Sequence, residues 1–220
     1  MSEAGEGAAS QALRDAGHVN ADEAGGNVCD KYASSNPIVR RLVAGFLRQF
    51  EVLVELAGAA EAHEVGCGEG ELSIRMAREG LRVRGTDAFP DVVAEARVRA
   101  ARAGVEVAFE AKPVQLLDPA ADAAELVVCC EVLEHIADPG AALEVLASLS
   151  HPWLIASVPR EPLWRALNLA RGSYVRERGN TPGHLNHWSK GGFARFLERR
   201  FEIEVLRSPT PWTMALCRVR

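Results

Sequence analysis

Three groups of residues in this 220-residue chain have types and spacings that could do chemistry. The first is Glu64-Val65-Gly66-Cys67-Gly68-Glu69-Gly70, where three alternating glycines follow an acidic residue. Such glycines let the backbone turn with φ > 0 and leave no Cβ between chain and ligand. A helix that begins near Gly70 would aim its free N–H groups and positive dipole end into the same crevice. A nucleotide or adenosyl group could lie there against bare backbone. The bland alternative is a strand-to-helix turn without a ligand. Asp87 comes 21 positions after Gly66. Its carboxylate could accept hydrogen bonds from both hydroxyls of a ribose, or it could cap the helix that starts near Pro90.

The second group is Glu131, Glu134 and His135, an E-x-x-E-H run. On a helix these side chains would share one face, and two carboxylates with an imidazole are plausible donors to a divalent cation. The third group lies between Arg160 and Trp188. Trp164, Tyr174 and Trp188 offer stacking faces, and Arg160, Arg165, Arg171, Arg176 and Arg178 offer cations to an anionic partner. His184 and His187 titrate near neutral pH, which suits proton removal from a phenol or hydroxyl. Alternatively, His187 and Trp188 cap and staple a helix that begins at Ser189.

The elements that would position these groups follow from periodicity. Asn36 before Pro37 reads as an N-cap with proline at the first helical position. Behind it Ile38, Val39, Leu42, Val43, Phe46, Leu47, Phe50 and Leu53 recur at helical spacing. Tyr32, just upstream, either touches ligand or anchors this helix. Strands are expected at 62–65, 81–85, 105–109, 125–130 and 153–158, alternating with helices at 71–78, 91–103 and 140–149. The apolar run from Leu126 to Cys130 reads as a fully buried parallel strand. Two further strands, 201–205 and 214–219, are joined by the turn-rich Ser208-Pro209-Thr210-Pro211. The pattern predicts a doubly wound, mostly parallel α/β sheet closed by an antiparallel hairpin.

Composition narrows the class. Hydrophobic residues make up 48% and charged residues 25%, as in an ordinary globular protein. A net charge of -5 gives no footprint for nucleic acid, so that partner is not expected. No apolar run is long enough for a membrane span. Residues 1–26 are rich in Ala, Gly and acids without periodic hydrophobicity, and are expected to be disordered. They carry no secretory h-region, which suggests a cytoplasmic protein. Five cysteines without paired spacing fit reduced thiols better than a disulfide framework or zinc site.

The glycine loop closely resembles motif I of the class I S-adenosylmethionine-dependent methyltransferases. The run Glu125-Leu126-Val127-Val128-Cys129-Cys130-Glu131-Val132-Leu133-Glu134-His135-Ile136-Ala137-Asp138-Pro139 resembles the pattern that follows strand four in that superfamily. With the terminal hairpin, the resemblance covers about residues 60 to 220. Two departures stand out. Glu125 replaces an Asp before strand four, and the acid usual after strand three is missing from Glu110-Ala111-Lys112-Pro113-Val114-Gln115.

The resemblance implies a Rossmann-like fold with seven strands over a single domain, 27–220. It implies S-adenosylmethionine as cofactor and S-adenosylhomocysteine as product. The cofactor residues would be Glu64, Gly66, Cys67, Gly68, Gly70, Asp87, Ala88, Phe89, Cys130 and Glu131. Residues 27–58 would form a helical lid and 159–188 a substrate lid, with Tyr32, Arg160, Trp164, Tyr174 and Trp188 beside the acceptor. His187, and next His184, would be the base. His187 is favoured because it precedes Trp188 and Ser189, which would fix its ring. In the ubiquinone-pathway O-methyltransferases, a branch that the chain resembles, a cluster equivalent to Glu131, Glu134 and His135 carries Mg²⁺. Other members with Leu-Glu-His here use no metal, and no metal is expected. The expected activity is O-methylation of a small molecule. Alternatives are N- or C-methylation, a non-catalytic binder of the same cofactor, and a nucleotide-dependent oxidoreductase, for which Asp87 would serve equally.

Overall fold

The computed structural model describes residue 32, residues 34–170, residue 172 and residues 174–220. The expected tail, Cys29 and Arg171 lie outside these. In order, the elements are α1 (Pro37–Ala57), β1 (Glu61–Val65), α2 (Glu71–Arg78), β2 (Arg82–Asp87), α3 (Pro90–Ala103), β3 (Val107–Ala111) and α4 (Pro119–Asp122). There follow β4 (Ala124–Cys130), α5 (Pro139–Leu149), β5 (Ser150–Pro159), α6 (Leu163–Ala170), α7 (Lys190–Leu197), β6 (Phe201–Arg207) and β7 (Trp212–Val219). The strands form one sheet in the order β3-β2-β1-β4-β5-β7-β6. All neighbours are parallel as far as β5, and β7 runs antiparallel to both β5 and β6. The sheet is therefore Rossmann-like, doubly wound and closed by the expected hairpin.

The central strands bury both faces, and their side chains sort by alternation. Leu126 and Val128 of β4 face a cluster with Phe46, Phe50 and Leu53 of α1, while Val127 and Cys129 face Leu143 and Leu146 of α5 and Phe193 of α7. The same two-residue alternation divides β7, with Met214 and Leu216 on the α1 side and Ala215 and Cys217 on the other. Helix α1 starts as its sequence indicates: the Asn36 side chain accepts the Ile38 N–H at 2.9 Å. Ser189 likewise caps α7, accepting the Gly192 N–H at 3.1 Å.

The chain departs from its sequence reading at two places that matter for the site. Glu131, Glu134 and His135 do not share a helical face. Glu131 is left-handed with φ 61°, and only a short 3-10 turn, Leu133–His135, follows. Asp87 does not cap α3. Phe89 occupies the cap position, and the Asp87 carboxylate turns toward the glycine loop.

Phe46, 1% exposed, meets the Trp212 ring edge-on at 5.1 Å and so joins α1 to the reversed strand β7. Phe46→Ala should cost about 3–5 kcal/mol through lost transfer energy and the cavity left behind. Urea unfolding followed by tryptophan fluorescence would measure it, and a loss below about 1 kcal/mol would show that α1 packs independently of this ring.

Candidate functional site

The site lies outside the carboxyl ends of β1, β2, β4 and β5, where open α/β sheets leave a crevice. After β1 the N–H groups of Gly66 and Cys67 both donate to the Thr86 carbonyl, at 2.7 and 3.0 Å, which ties the loop to β2. A Cβ on Gly66 would stand 2.3 Å from the Val132 side chain, so this glycine admits the segment that follows β4. Gly68 is different. Its φ of 51° is equally left-handed, yet nothing lies within 4 Å of where its Cβ would be. Protein packing does not demand a glycine there, and the bare backbone faces open space.

Asp87 closes this loop from the far side. Its Oδ2 accepts the Gly68 N–H at 2.9 Å and its Oδ1 accepts the Phe89 N–H at 3.1 Å. Burial pushes its carboxyl above the usual range, while the backbone donors pull the other way. Ala88 and Phe89 are half-buried beside it. Glu64, 3% exposed, accepts a hydrogen bond from the Ser73 hydroxyl of α2. Burial raises its carboxyl to about 8 against the opposing pull of that hydroxyl. The Cys67 and Cys130 thiols are pushed up by burial as well, which makes them poor nucleophiles.

Glu131 borders the same crevice. Its Oε1 accepts the Ser157 hydroxyl at 3.2 Å and its Oε2 accepts the Trp212 indole N–H at 2.5 Å. The phenol of Tyr32 is pushed up by burial first and then by the Glu64 and Glu131 carboxylates, and its side chain packs against the cluster that holds Phe46 and Trp212.

From Trp212 a chain of rings runs outward. Trp164 lies 5.9 Å from Trp212, His184 stacks on Trp164 at 6.0 Å, and His135 meets His184 edge-on at 4.9 Å. The Trp164 indole N–H is fixed by donating to the Thr181 hydroxyl at 2.9 Å. The segment 183–186 is latched onto the turn after β4. The Leu185 and Asn186 N–H groups donate to the Glu134 carbonyl at 2.8 and 3.0 Å, and the Asn186 side chain donates to the Leu133 and Ile136 carbonyls at 3.2 and 2.6 Å. His135 adds an Nδ1 hydrogen bond to the Gly183 carbonyl at 3.0 Å.

The residues expected beside the acceptor therefore divide. Trp164 and His184 join the ring chain. His187 is exposed and its Nε2 donates to the Asn180 side-chain oxygen at 2.6 Å. Burial and the Arg165 guanidinium hold its pKa below the ordinary value. The Trp188 ring packs on Phe193 and Phe196 of α7, at 5.8 and 5.3 Å. Tyr174 sits in a turn with φ 53°, and Arg160 pairs by its backbone with Pro211 and Trp188. Trp212 and Asn186 escaped the sequence reading. Trp212 sits just after a proline-rich turn and before an apolar strand, and only the β5–β7 pairing brings it opposite Pro159.

Sheet order, glycine crevice and facing carboxylate are arranged as in the class I methyltransferase fold. Residues 62–152 match the family model described as a methyltransferase domain. It is 37% identical over 128 residues to a ubiquinone biosynthesis O-methyltransferase of Xanthomonas euvesicatoria, a match covering 56% of this chain and 52% of that protein. It is 36% identical over 154 residues to the protein of that name from Bordetella avium, covering 62% and 64%. The chain thus spans about half to two thirds of the length of these curated relatives. Its fold matches a magnesium protoporphyrin IX methyltransferase from Synechocystis PCC 6803, solved with bound SAH, at a TM-score of 0.66. That match is 21% identical and covers 86% of this chain and 91% of that one.

The buried Glu64 makes a pH prediction. Its carboxyl titrates near 4.5 when free and at about 8 in the folded chain, so the folded state holds the extra proton between those values. The stability of the ligand-free protein should therefore fall as pH rises from about 4.5 to 8. Glu64→Gln should flatten that part of the profile. Urea titrations at several pH values would read the difference, and identical slopes in both proteins would refute the assignment.

Proposed function

We propose that the protein transfers the methyl group of S-adenosylmethionine to a small-molecule acceptor, at an oxygen. The observation that carries this reading is the pairing of Gly68, whose open side faces space, with the Asp87 carboxylate anchored across the loop. Each Asp87 oxygen accepts one backbone N–H and keeps a second lone pair for a ribose hydroxyl. Ala88 and Phe89 would flank the adenine, and Glu64, Glu131 and Tyr32 would enclose the amino-acid end. A cationic ligand there would also draw Glu64 into its ionised form.

The sulfonium methyl is already activated, so the protein has mainly to align acceptor, methyl and sulfur in a line and keep water out. Trp164, Trp212 and His184 form an aromatic wall suited to a planar acceptor. The Glu134–His135–His184 cluster lies at the end of that wall and would take charge of the acceptor hydroxyl's proton. His184 stands in the ring chain and His187 outside it, so the base role moves from His187 to His184. Oxygen as the methylated atom is supported by this proton-handling cluster and by the names of the relatives. Among the described residues no helix is long and apolar enough to cross a membrane. A cytoplasmic, dissolved acceptor is part of the same proposal.

Calorimetry with S-adenosylmethionine tests the cofactor. Asp87→Ala should weaken binding by about 1.5–3 kcal/mol, the cost of losing a charged acceptor, and Gly68→Val should abolish it by filling the open side. Unchanged affinity in both would place the ligand elsewhere. For the acceptor side, His184→Ala should bind the cofactor normally and lose roughly 10²–10⁴ in labelled-methyl turnover. A greater loss in His187→Ala would return the role to that residue.

A further inference from the structure

His63 is 0% exposed in the middle of β1, below the glycine loop, and methyl transfer does not call on it. Both of its ring nitrogens are engaged. Nδ1 lies 2.7 Å from the Asp122 carbonyl and Nε2 lies 2.9 Å from the Thr86 hydroxyl. A carbonyl can only accept, so Nδ1 carries a proton. In the neutral ring Nε2 is then the acceptor, and the Thr86 hydroxyl donates to it. Burial holds the imidazole below its ordinary pKa against the pull of the Asp122 carbonyl, and the Arg84 guanidinium lowers it further. The fold thus selects the neutral ring.

The partners of His63 are tied to the crevice. Thr86, 2% exposed, stands directly before Asp87, and its carbonyl accepts the Gly66 and Cys67 N–H groups. On the far side of His63 the end of α4 is clasped. Arg84, its register neighbour on β2, donates to the Ala121 and Ala123 carbonyls at 2.5 and 2.8 Å. These flank the Asp122 carbonyl that His63 holds. The Asp122 carboxylate accepts the Lys112 ammonium and the Asp118 N–H, each at 2.7 Å. The Lys112 N–H in turn donates to the Asp87 carbonyl at 2.7 Å. The contacts close a circuit from His63 through Thr86, Asp87, Lys112 and Asp122 back to His63.

We propose that His63 is a positioning residue for the cofactor: through the Thr86 hydroxyl it fixes the end of β2, and so sets both the Asp87 carboxylate and the carbonyl that anchors the glycine loop. The proposal rests on S-adenosylmethionine occupying the crevice. Being fully buried, His63 acts through Thr86 and not by touching the ligand. An apolar side chain at this position could fill the space, but it would leave the Thr86 hydroxyl and the Asp122 carbonyl to find other partners. Any shift of the end of β2 would pass directly into the hydrogen bonds made to Asp87, which weaken steeply once out of line.

The test uses the full chain, with S-adenosylhomocysteine titrated by calorimetry. Thr86→Val removes the hydroxyl at nearly constant volume and should raise Kd about 3–10-fold, the worth of one net hydrogen bond. His63→Leu should do the same. The double variant should raise Kd no further than either single one, because both remove the same contact. Thr86→Ser, which keeps the hydroxyl, should bind as the wild type does. Leu143→Ala opens a cavity in the core outside the circuit, and should lower stability while keeping affinity. Imidazole nitrogen NMR should show His63 as the neutral Nδ1–H tautomer, its signal identified by its loss in His63→Leu. If His63→Leu does not fold, Thr86→Val against Thr86→Ser decides the matter, with the signal then identified by its shift in Thr86→Val. Wild-type affinity in Thr86→Val would overturn the proposal. So would a loss of affinity that persists in Thr86→Ser, one that Leu143→Ala shares, or an Nε2–H tautomer. A wild type that binds no S-adenosylhomocysteine would sink the cofactor assignment itself, and this proposal with it.

Discussion

The crevice depends on one carboxylate held by two backbone donors. Asp87 stands at the end of β2 and takes one N–H from Gly68 and one from Phe89, so the glycine loop and the start of α3 are fixed to each other through it. The N–H groups of Gly66 and Cys67 tie the start of the loop to the Thr86 carbonyl, and Asp87 adds the anchor at Gly68. Burial opposes ionisation of Asp87, and the two amide donors offset part of that penalty. A half-buried carboxylate bound on both oxygens is costly to displace. The loop is thus held by hydrogen bonds to Thr86 and Asp87 and by the close approach of Val132 to Gly66.

The aromatic wall beside the crevice is built on a different principle. Its wall is a run of aromatic rings, Phe46, Trp212, Trp164 and His184, contributed by α1, β7, α6 and the segment before α7. Phe46, Trp212 and the Trp164–His184 segment come from three distant parts of the chain. The reversed strand β7 is what unites them, because its pairing with β5 puts Trp212 beside the carboxyl end of the parallel strands. Through its indole N–H, Trp212 also holds Glu131, which links the wall to the crevice.

These two halves differ in how far the sequence announces them. Crevice residues are local: Gly66, Gly68 and Gly70 sit in one loop, and Asp87 follows at the spacing of one βα unit. The alternation of β4 and the caps at Asn36 and Ser189 are local too, and they appear where the sequence places them. The aromatic wall is non-local. Nothing around Trp212 or Asn186 signals that they will meet Glu131 and the Leu133 carbonyl, since sheet order and the latch decide those contacts. The E-x-x-E-H run misleads for a related reason. Helical spacing would have put its three side chains together, but the chain leaves β4 with Glu131 in a left-handed conformation and gathers His184 from elsewhere. Trp188 shows the converse: an aromatic residue in a loop suggests stacking on ligand, and its ring belongs to the packing of α7.

The latch between 183–186 and the turn after β4 has a kinetic meaning. Three backbone carbonyls of that turn, those of Leu133, Glu134 and Ile136, are occupied by donors from Leu185 and Asn186. Any motion that uncovers the aromatic wall must break these bonds together, and they are arranged as a cooperative unit. Such units open on slow timescales, and in enzymes with closing segments that opening frequently governs the cycle. Asn186 makes three of these four hydrogen bonds, so the hold of this segment rests mainly on a residue outside the ring chain.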